Sequence, residues 1–171
     1  MKSSHAAIFI AFVFAVCSAL AGAARAQDSA PSKQDDHSHA DMVARGNSAK
    51  GMAFDAAKTT HHFILTDSGG QIDVAANDSE DTASRDEIRH HLQHITQKFK
   101  AGDFDIPMFV HDQVPPGAPA MKRLSDSIEY NYVATERGGR VAISTKNAEA
   151  LAAIHDFLRF QIREHRTGDK P

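Results

Sequence analysis

A hairpin-then-helix pattern occurs twice in this chain, and that repetition constrains the fold more than any single motif does. In the first copy His61, Phe63 and Leu65 alternate with His62, Ile64 and Thr66; Asp67-Ser68-Gly69-Gly70 interrupts, and Ile72, Val74 and Ala76 resume the alternation. Two alternating runs around a Gly-containing turn specify a β-hairpin. A tight turn is expected to set Phe63 opposite Val74 and Leu65 opposite Ile72 on the buried side, with His61 sharing that side at its edge and His62 on the other. After a polar loop, Ile88, Leu92, Ile95 and Phe99 recur at helical spacing. Ser84 with Glu87 reads as the capping box of that helix and Gly102 as its stop.

The second copy runs from Ile128-Glu129-Tyr130-Asn131-Tyr132-Val133 through Arg137-Gly138-Gly139-Arg140 to Val141, Ile143 and Thr145. Asn147 then caps a helix carrying Leu151, Ile154, Leu158 and Ile162. Gly69-Gly70 matches Gly138-Gly139, Val74 matches Ile143, and Ile88 with Leu92 matches Ile154 with Leu158. One hairpin with one helix cannot bury its own apolar face, so two copies should share a core. The expectation is an α+β domain: a duplicated β-hairpin–helix unit, forming a four-stranded antiparallel sheet with two helices packed on one face.

The rest of the chain divides around this unit. Residues 1–26 read as an export signal, with Lys2, an apolar run from Ala6 to Leu20, and Ala24-Arg25-Ala26 as cleavage pattern, giving a mature start at Gln27 and a periplasmic location. Nothing after it is long and apolar enough to span a membrane. Residues 27–50 are polar and read as a mobile, His-containing tail, and 51–169 as a single domain. Within that domain, repeat one covers 59–103, a proline-rich connection 104–125, and repeat two 126–169. The connection is expected to be mostly irregular, with an extended piece at Met108–His111 and a short helix from Ala118.

Composition then narrows the function. The only cysteine, Cys17, lies in the signal, so the mature chain has neither disulfide framework nor thiolate metal site. Acidic residues outnumber basic ones, 22 to 19, and no basic stripe is present, which argues against a nucleic-acid partner.

Histidine carries the chemistry. His90 and His94 stand four apart on the first helix, a spacing that can chelate one ion, and His91 with Glu87 forms a second such pair on the flank of the core stripe. Leu92-Gln93 after His91 exclude the zinc-protease motif. His61, at the start of its strand, is expected to approach His91 and Glu87 along one core edge. The second copy has Tyr130 where the first has His61, and Phe157 where it has His91, so one copy is plain packing and the other polar at matched places. Burial of His61 at a sheet edge, satisfied by backbone, is the competing reading. Met108, His111 and Met121 bracket the proline-rich connection as a His-plus-Met set suited to Cu(I), although methionine's commoner use is core filling. Asp36-His37-Ser38-His39 with Met42 is a tail segment that binds divalent ions without a fold. His155-Asp156 and His111-Asp112 are poor catalytic dyads, because adjacent side chains point apart and no nucleophile motif accompanies them.

The runs Lys58-Thr59-Thr60-His61-His62-Phe63, Gly69-Gly70, Asp81-Thr82-Ala83-Ser84-Arg85-Asp86, Gly102-Asp103-Phe104, Pro115-Pro116-Gly117 and Ala153-Ile154-His155-Asp156-Phe157-Leu158-Arg159-Phe160-Gln161 together resemble an uncharacterised family of small exported bacterial proteins, over roughly residues 42 to 169. The resemblance implies no activity and no catalytic residue.

The sequence thus points to a cell-envelope protein that binds copper or zinc for buffering, tolerance or delivery rather than catalysis. The ligand candidates are His61, Glu87, His90, His91, His94, Met108, His111 and Met121. The absence of Cys-x-x-Cys-His excludes covalent haem. The alternatives are a non-enzymatic module that dimerises through the open sheet face or holds a small apolar ligand or haem, and a His-dependent enzyme.

Overall fold

A computed structural model of the protein describes residues 33–171. The expected export signal and the start of the tail lie outside the described residues. Five helices and four strands follow one another as α1 (Lys33–Asn47), β1 (Thr59–Thr66), β2 (Gly69–Ala76), α2 (Thr82–Lys100), α3 (Asp105–His111), α4 (Ala118–Arg123), β3 (Ile128–Thr135), β4 (Gly138–Thr145) and α5 (Ala148–His165). The strands form one antiparallel sheet in the order β1-β2-β4-β3, the α+β class expected, with an order that the repeat alone does not dictate. Among the described residues no helix is long and apolar enough to cross a membrane.

Alternation along the strands makes the core. Phe63, Ile72, Val74, Tyr130, Val141 and Ile143 are buried and join Ile88, Leu92, Phe99, Ile154, Phe157 and Leu158 of the two long helices in one cluster. The register of the first hairpin differs from expectation by two residues: Phe63 pairs with Ile72, Leu65 with Gly70 and His61 with Val74. The reason is that Asp67-Ser68 alone makes the turn, while Gly69 and Gly70 already belong to β2. A shift of two preserves the faces, so the buried set is unchanged.

The glycine pairs are therefore not turns but places where a helix passes close. A Cβ on Gly70 would lie 2.2 Å from Leu158 Cδ1, and one on Gly139 would lie 3.1 Å from Leu92 Cδ1. Leu158 and Leu92 are equivalents in the two copies, and each sits over the other copy's hairpin. Accordingly α2 packs chiefly on β3 and β4, and α5 chiefly on β1. The copies interlock about a pseudo-twofold axis at the β2–β4 seam, where the equivalents Ile72 and Val141 stand directly opposite each other. Replacing Gly70 by Ala drives a methyl into Leu158 and the Ile64 carbonyl, 2.6 Å away. The expected cost is about 1–3 kcal/mol of stability, read by urea unfolding. Adding Leu158→Ala should recover none of the carbonyl clash, so the double variant stays below Leu158→Ala alone.

Local details also depart from expectation. Asp81, not Ser84, caps α2: its Oδ1 accepts from Ser84 N at 3.0 Å while Ser84 Oγ donates to Oδ2 at 2.8 Å. Asn147 caps α5 as expected, accepting from Glu149 N and Ala150 N. Met108–His111 is helical rather than extended, because Pro107 falls in the first turn of α3, where its missing N–H is not needed. His155 is no dyad: its Nε2–H reaches the Thr66 and Gly69 carbonyls at 2.9 and 3.0 Å, pinning α5 to the first hairpin.

The tail expected to be mobile up to Lys50 instead forms α1 from Lys33. Its few apolar residues suffice because it lies against the rest of the fold. Met42 is buried, Arg45 Nε donates to the Val110 carbonyl at 2.8 Å, and His39 Nδ1–H meets the Glu164 carbonyl at 3.0 Å. Met42→Ala is expected to lower stability by about 2–5 kcal/mol, the usual cost of truncating a buried methionine; a thermal midpoint equal to wild type would contradict the docking of α1.

Candidate functional site: four histidines around an apolar cavity

Interlocking brings together histidines that are far apart in sequence. His61 from β1, His91 from α2, His111 at the end of α3 and His165 at the end of α5 line one cavity of about 70 Å³, with Met52, Gln161 and an otherwise apolar wall. The His61 and His165 rings stack with centroids 5.5 Å apart, and His165 meets His111 edge-on at 5.1 Å. Phe54 spans His61 and His91, with centroids 5.8 and 5.5 Å away.

The hydrogen bonding is incomplete in a specific way. His111 Nε2–H donates to Gln161 Oε1 at 2.9 Å, which leaves its Nδ1 lone pair buried without a partner. His61 Nε2 and Gln161 Nε2 are likewise buried and unpartnered. An orphaned buried polar atom costs about 1–3 kcal/mol, so three around one cavity are not neutral packing.

Desolvation also favours the neutral form, His111 being buried and the other three rings half-buried. Desolvation, with a smaller push from His62, lowers the His61 imidazole to about 4. Desolvation lowers His91 to about 3, helped by His61, His94 and His90. His165 is held well below the ordinary histidine range by burial and then by His61, His111 and His39. His111 is lowered by burial against the opposing Gln161 hydrogen bond. All four rings are neutral at pH 7, the form in which imidazole ligates metals.

The duplication supplies an internal control. Aligning the hairpins on their glycine pairs places His61 on Tyr130. Aligning the helices on Leu92 and Leu158 places His91 on Phe157 and His165 on Phe99. Those aromatic residues form a packed cluster, with Phe99 5.8 Å from Tyr130 and 5.9 Å, edge-on, from Phe157. The same three places in one architecture thus hold Tyr130, Phe157 and Phe99 in one half and imidazoles in the other; Phe99 and Phe157 line the same cavity, and Tyr130 Oη is, like His61 Nε2, buried without a partner. Packing alone does not demand the histidines.

The sequence-stated candidates separate accordingly. His61, His91 and His111 are brought together. His90, His94 and Glu87 are exposed on α2, Met108 is exposed, and Met121 is wholly buried without lining the cavity, so the Met108–His111–Met121 set is not assembled. Met121 is core filler. His165, Gln161 and Met52 were not among the candidates. The alignment of the copies contains the signal for His165, as the partner of Phe99, but pairing each hairpin with its own helix hides it. Among the described residues, no group of three or more His, Asp or Glu side chains is set to hold a metal ion as the rings stand. The cavity is also far smaller than the roughly 300–1,000 Å³ of cofactor pockets, and haem does not fit it.

The other sheet face offers less. Ile64 and Val133 are its exposed large hydrophobics, set among Gln71, Asp73, Asn131 and Arg140, with Arg140 Nε and Nη2 holding the Asp73 carboxylate at 2.7 and 2.5 Å. Tyr130 lies on the inner face, not this one.

Fold and site together define an α+β domain with a neutral four-histidine cavity between two interlocked copies of one unit. Comparison with protein-family models, curated proteins and solved structures finds no match to this chain. Its chemistry is therefore read from its own residues.

Proposed function

We propose that the cavity binds one transition-metal ion, copper or zinc, through His61, His91, His111 and His165, and that the protein serves as a metal buffer or carrier of the cell envelope. The observation that carries this reading is that four neutral imidazoles line one cavity, three of them at places where the other copy has aromatic residues, with His61 Nε2 and His111 Nδ1 buried and unpartnered. Nitrogen donors in a site without carboxylates suit Zn(II), Cu(I) and Cu(II), and the Met52 thioether beside them favours the softer ion. Binding requires the stacked His61 and His165 rings to turn about their side-chain torsions so that their nitrogens converge. A cavity of about 70 Å³ has the size for an ion and not for an organic cofactor. The envelope location rests on the leader pattern of residues 1–26.

Co(II) titration of the full chain tests the reading. The visible spectrum should show one equivalent bound in a four-coordinate nitrogen environment, displaced by Zn(II). His165→Phe, the residue the other copy uses, should weaken binding by more than the roughly 10–100-fold typical of losing an outer-shell partner. A spectrum unchanged by His165→Phe, or abolished only by His37→Ala with His39→Ala, would put the metal on the tail and refute the site. Absence of any bound metal would leave the cavity to a pair of ordered waters bridging the orphaned atoms.

A further inference from the structure

The two edges of the sheet end differently. At β1 the end of the chain closes the edge: Asp169 Oδ2 accepts from Phe63 N at 2.9 Å, and Oδ1 lies 2.9 Å from His62 Nδ1. An edge N–H held by a carboxylate is blocked from pairing with another strand. β3 is the other edge. Aligning the helices on Leu92 and Leu158 makes Gly102-Asp103 the equivalent of Gly168-Asp169, and both glycines are left-handed, with φ of 69° and 77°. The Asp103 carboxylate, however, turns to Lys98 Nζ at 2.6 Å and to Asp105 N at 2.9 Å, so Tyr132, the equivalent of Phe63, has no such cap. The bond from Ala76 N to the Arg137 carbonyl, 2.8 Å, fixes the phase of the ladder. Val141 turns its backbone toward β2, so Tyr132 opposite it points N–H and C=O outward, as do Tyr130 and Ala134. Among the described residues nothing hydrogen-bonds to these outward groups. Beside them Val133 is 50 % exposed and Ala134 is exposed.

We infer that β3 is a self-association edge, to which a second copy of this chain adds its own β3, antiparallel, on a twofold axis at Val133. In that register Tyr132 exchanges both backbone hydrogen bonds with the partner's Ala134, and Ala134 with the partner's Tyr132. On the outer face Val133 meets the partner's Val133, and an exposed apolar side chain is covered in each copy. Glu129 comes opposite the partner's Arg137, so the twofold makes two charge pairs. Among the described residues neither Glu129 nor Arg137 has an ion-pair partner, and the Arg137 guanidinium makes one bond, Nη1 to the Asn77 carbonyl at 3.3 Å. Centred on Asn131 or Thr135 instead, the axis would set Glu129 or Arg137 against Val133, so the charges select one register. That complementarity within a single strand is what favours a second copy as the occupant. The joined edge lies across the sheet from His61 on β1, and the pairing is independent of the metal reading of the cavity.

Sedimentation equilibrium of the full chain, with a metal chelator present, tests the edge. A monomer–dimer equilibrium is expected. Val133→Lys sets like charges against each other at the axis and should weaken the dimer by about tenfold or more. Ala134→Pro removes an N–H that the partner needs and β4 does not, and should act in the same direction while the far-ultraviolet circular dichroism stays native. Glu129→Arg should also weaken the dimer, and adding Arg137→Glu should restore it. A monomer at every concentration would overturn self-pairing and leave the edge to an extended segment of another protein. A dimer indifferent to both Val133→Lys and Ala134→Pro would place the interface elsewhere. Failure of the charge swap to restore pairing would overturn the register, and a dimer that forms only without chelator would be bridged by metal and not by β3.

Discussion

Lowering the pH from 7.5 to 5 is expected to cost this protein a large part of its stability, well before its carboxylates titrate. The four cavity histidines are held neutral by burial, with His61 near 4 and His91 near 3, and His111 and His165 lowered as well. In the unfolded chain each returns to about 6.5 and takes up a proton that the native state refuses. Between that value and the native one the unfolded state binds more protons, so stability is complete above pH 6.5 and falls as the solution is acidified. A group titrating only when unfolded contributes about 1.4 kcal/mol per pH unit, so a few such groups are comparable to a typical total of about 5–15 kcal/mol. The carboxylates act in a separate, lower window. Asp81 and Asp103, lowered by hydrogen bonds from Ser84 and Lys98, give up their contribution only below the ordinary carboxylate range. Thermal melts followed by far-ultraviolet circular dichroism at pH 7.5, 6 and 5 should show a falling midpoint, and Zn(II) at pH 6 should oppose the fall by binding only the neutral rings. A midpoint flat from pH 7.5 to 5 would mean that the cavity rings protonate without penalty.

How much of this was legible in the chain depends on the range of the interaction concerned. The hairpins, the α2 and α5 stripes and the Asn147 cap follow from periodicities of a few residues, and the shared sheet follows from two copies with one unsatisfied face each. The glycine pairs were visible but misread. Glycine-glycine beside an alternating run looks like a turn, whereas Gly70 and Gly139 make room for Leu158 and Leu92 across the sheet, a demand that exists only once the copies interlock. The same interlocking explains the site. His61 and His91 could be linked through one repeat, but His165 reaches His61 only because α5 crosses to the other hairpin. Met121 and Met108 carry the right chemistry at the wrong depth, one in the core and one in solvent, and spacing cannot distinguish depth on short helices. The α1 helix shows the converse failure: a polar segment with few apolar residues is ordered by Met42, Arg45 and His39 meeting distant partners.

Rewriting the histidine half as its own mirror image, with His61→Tyr, His91→Phe and His165→Phe, should give a folded protein that has lost both the acid sensitivity and the metal. The substitutions are those the chain already makes at Tyr130, Phe157 and Phe99, in equivalent backbone positions. The cavity of about 70 Å³ offers space for the added atoms, so overpacking should stay at or below its usual cost of about 1–3 kcal/mol. Against that cost stand three half-buried rings that no longer refuse protons, while the hydroxyl introduced by His61→Tyr replaces one orphaned atom with another, as Tyr130 Oη shows in the other copy. The variant should therefore lose most of the stability difference between pH 7.5 and 5, leaving His111 as the remaining contributor from the cavity, and its melting midpoint should not respond to Zn(II). Single substitutions divide the two effects: each should remove part of the acid slope and weaken the metal response, with a three-histidine remainder able to keep the ion only with water as its fourth ligand. A mirror variant that keeps the wild-type acid slope would show that the imidazoles are spectators in the core. One that loses the slope yet still shifts with Zn(II) would place the ion outside the cavity, on the exposed His90–His94 face.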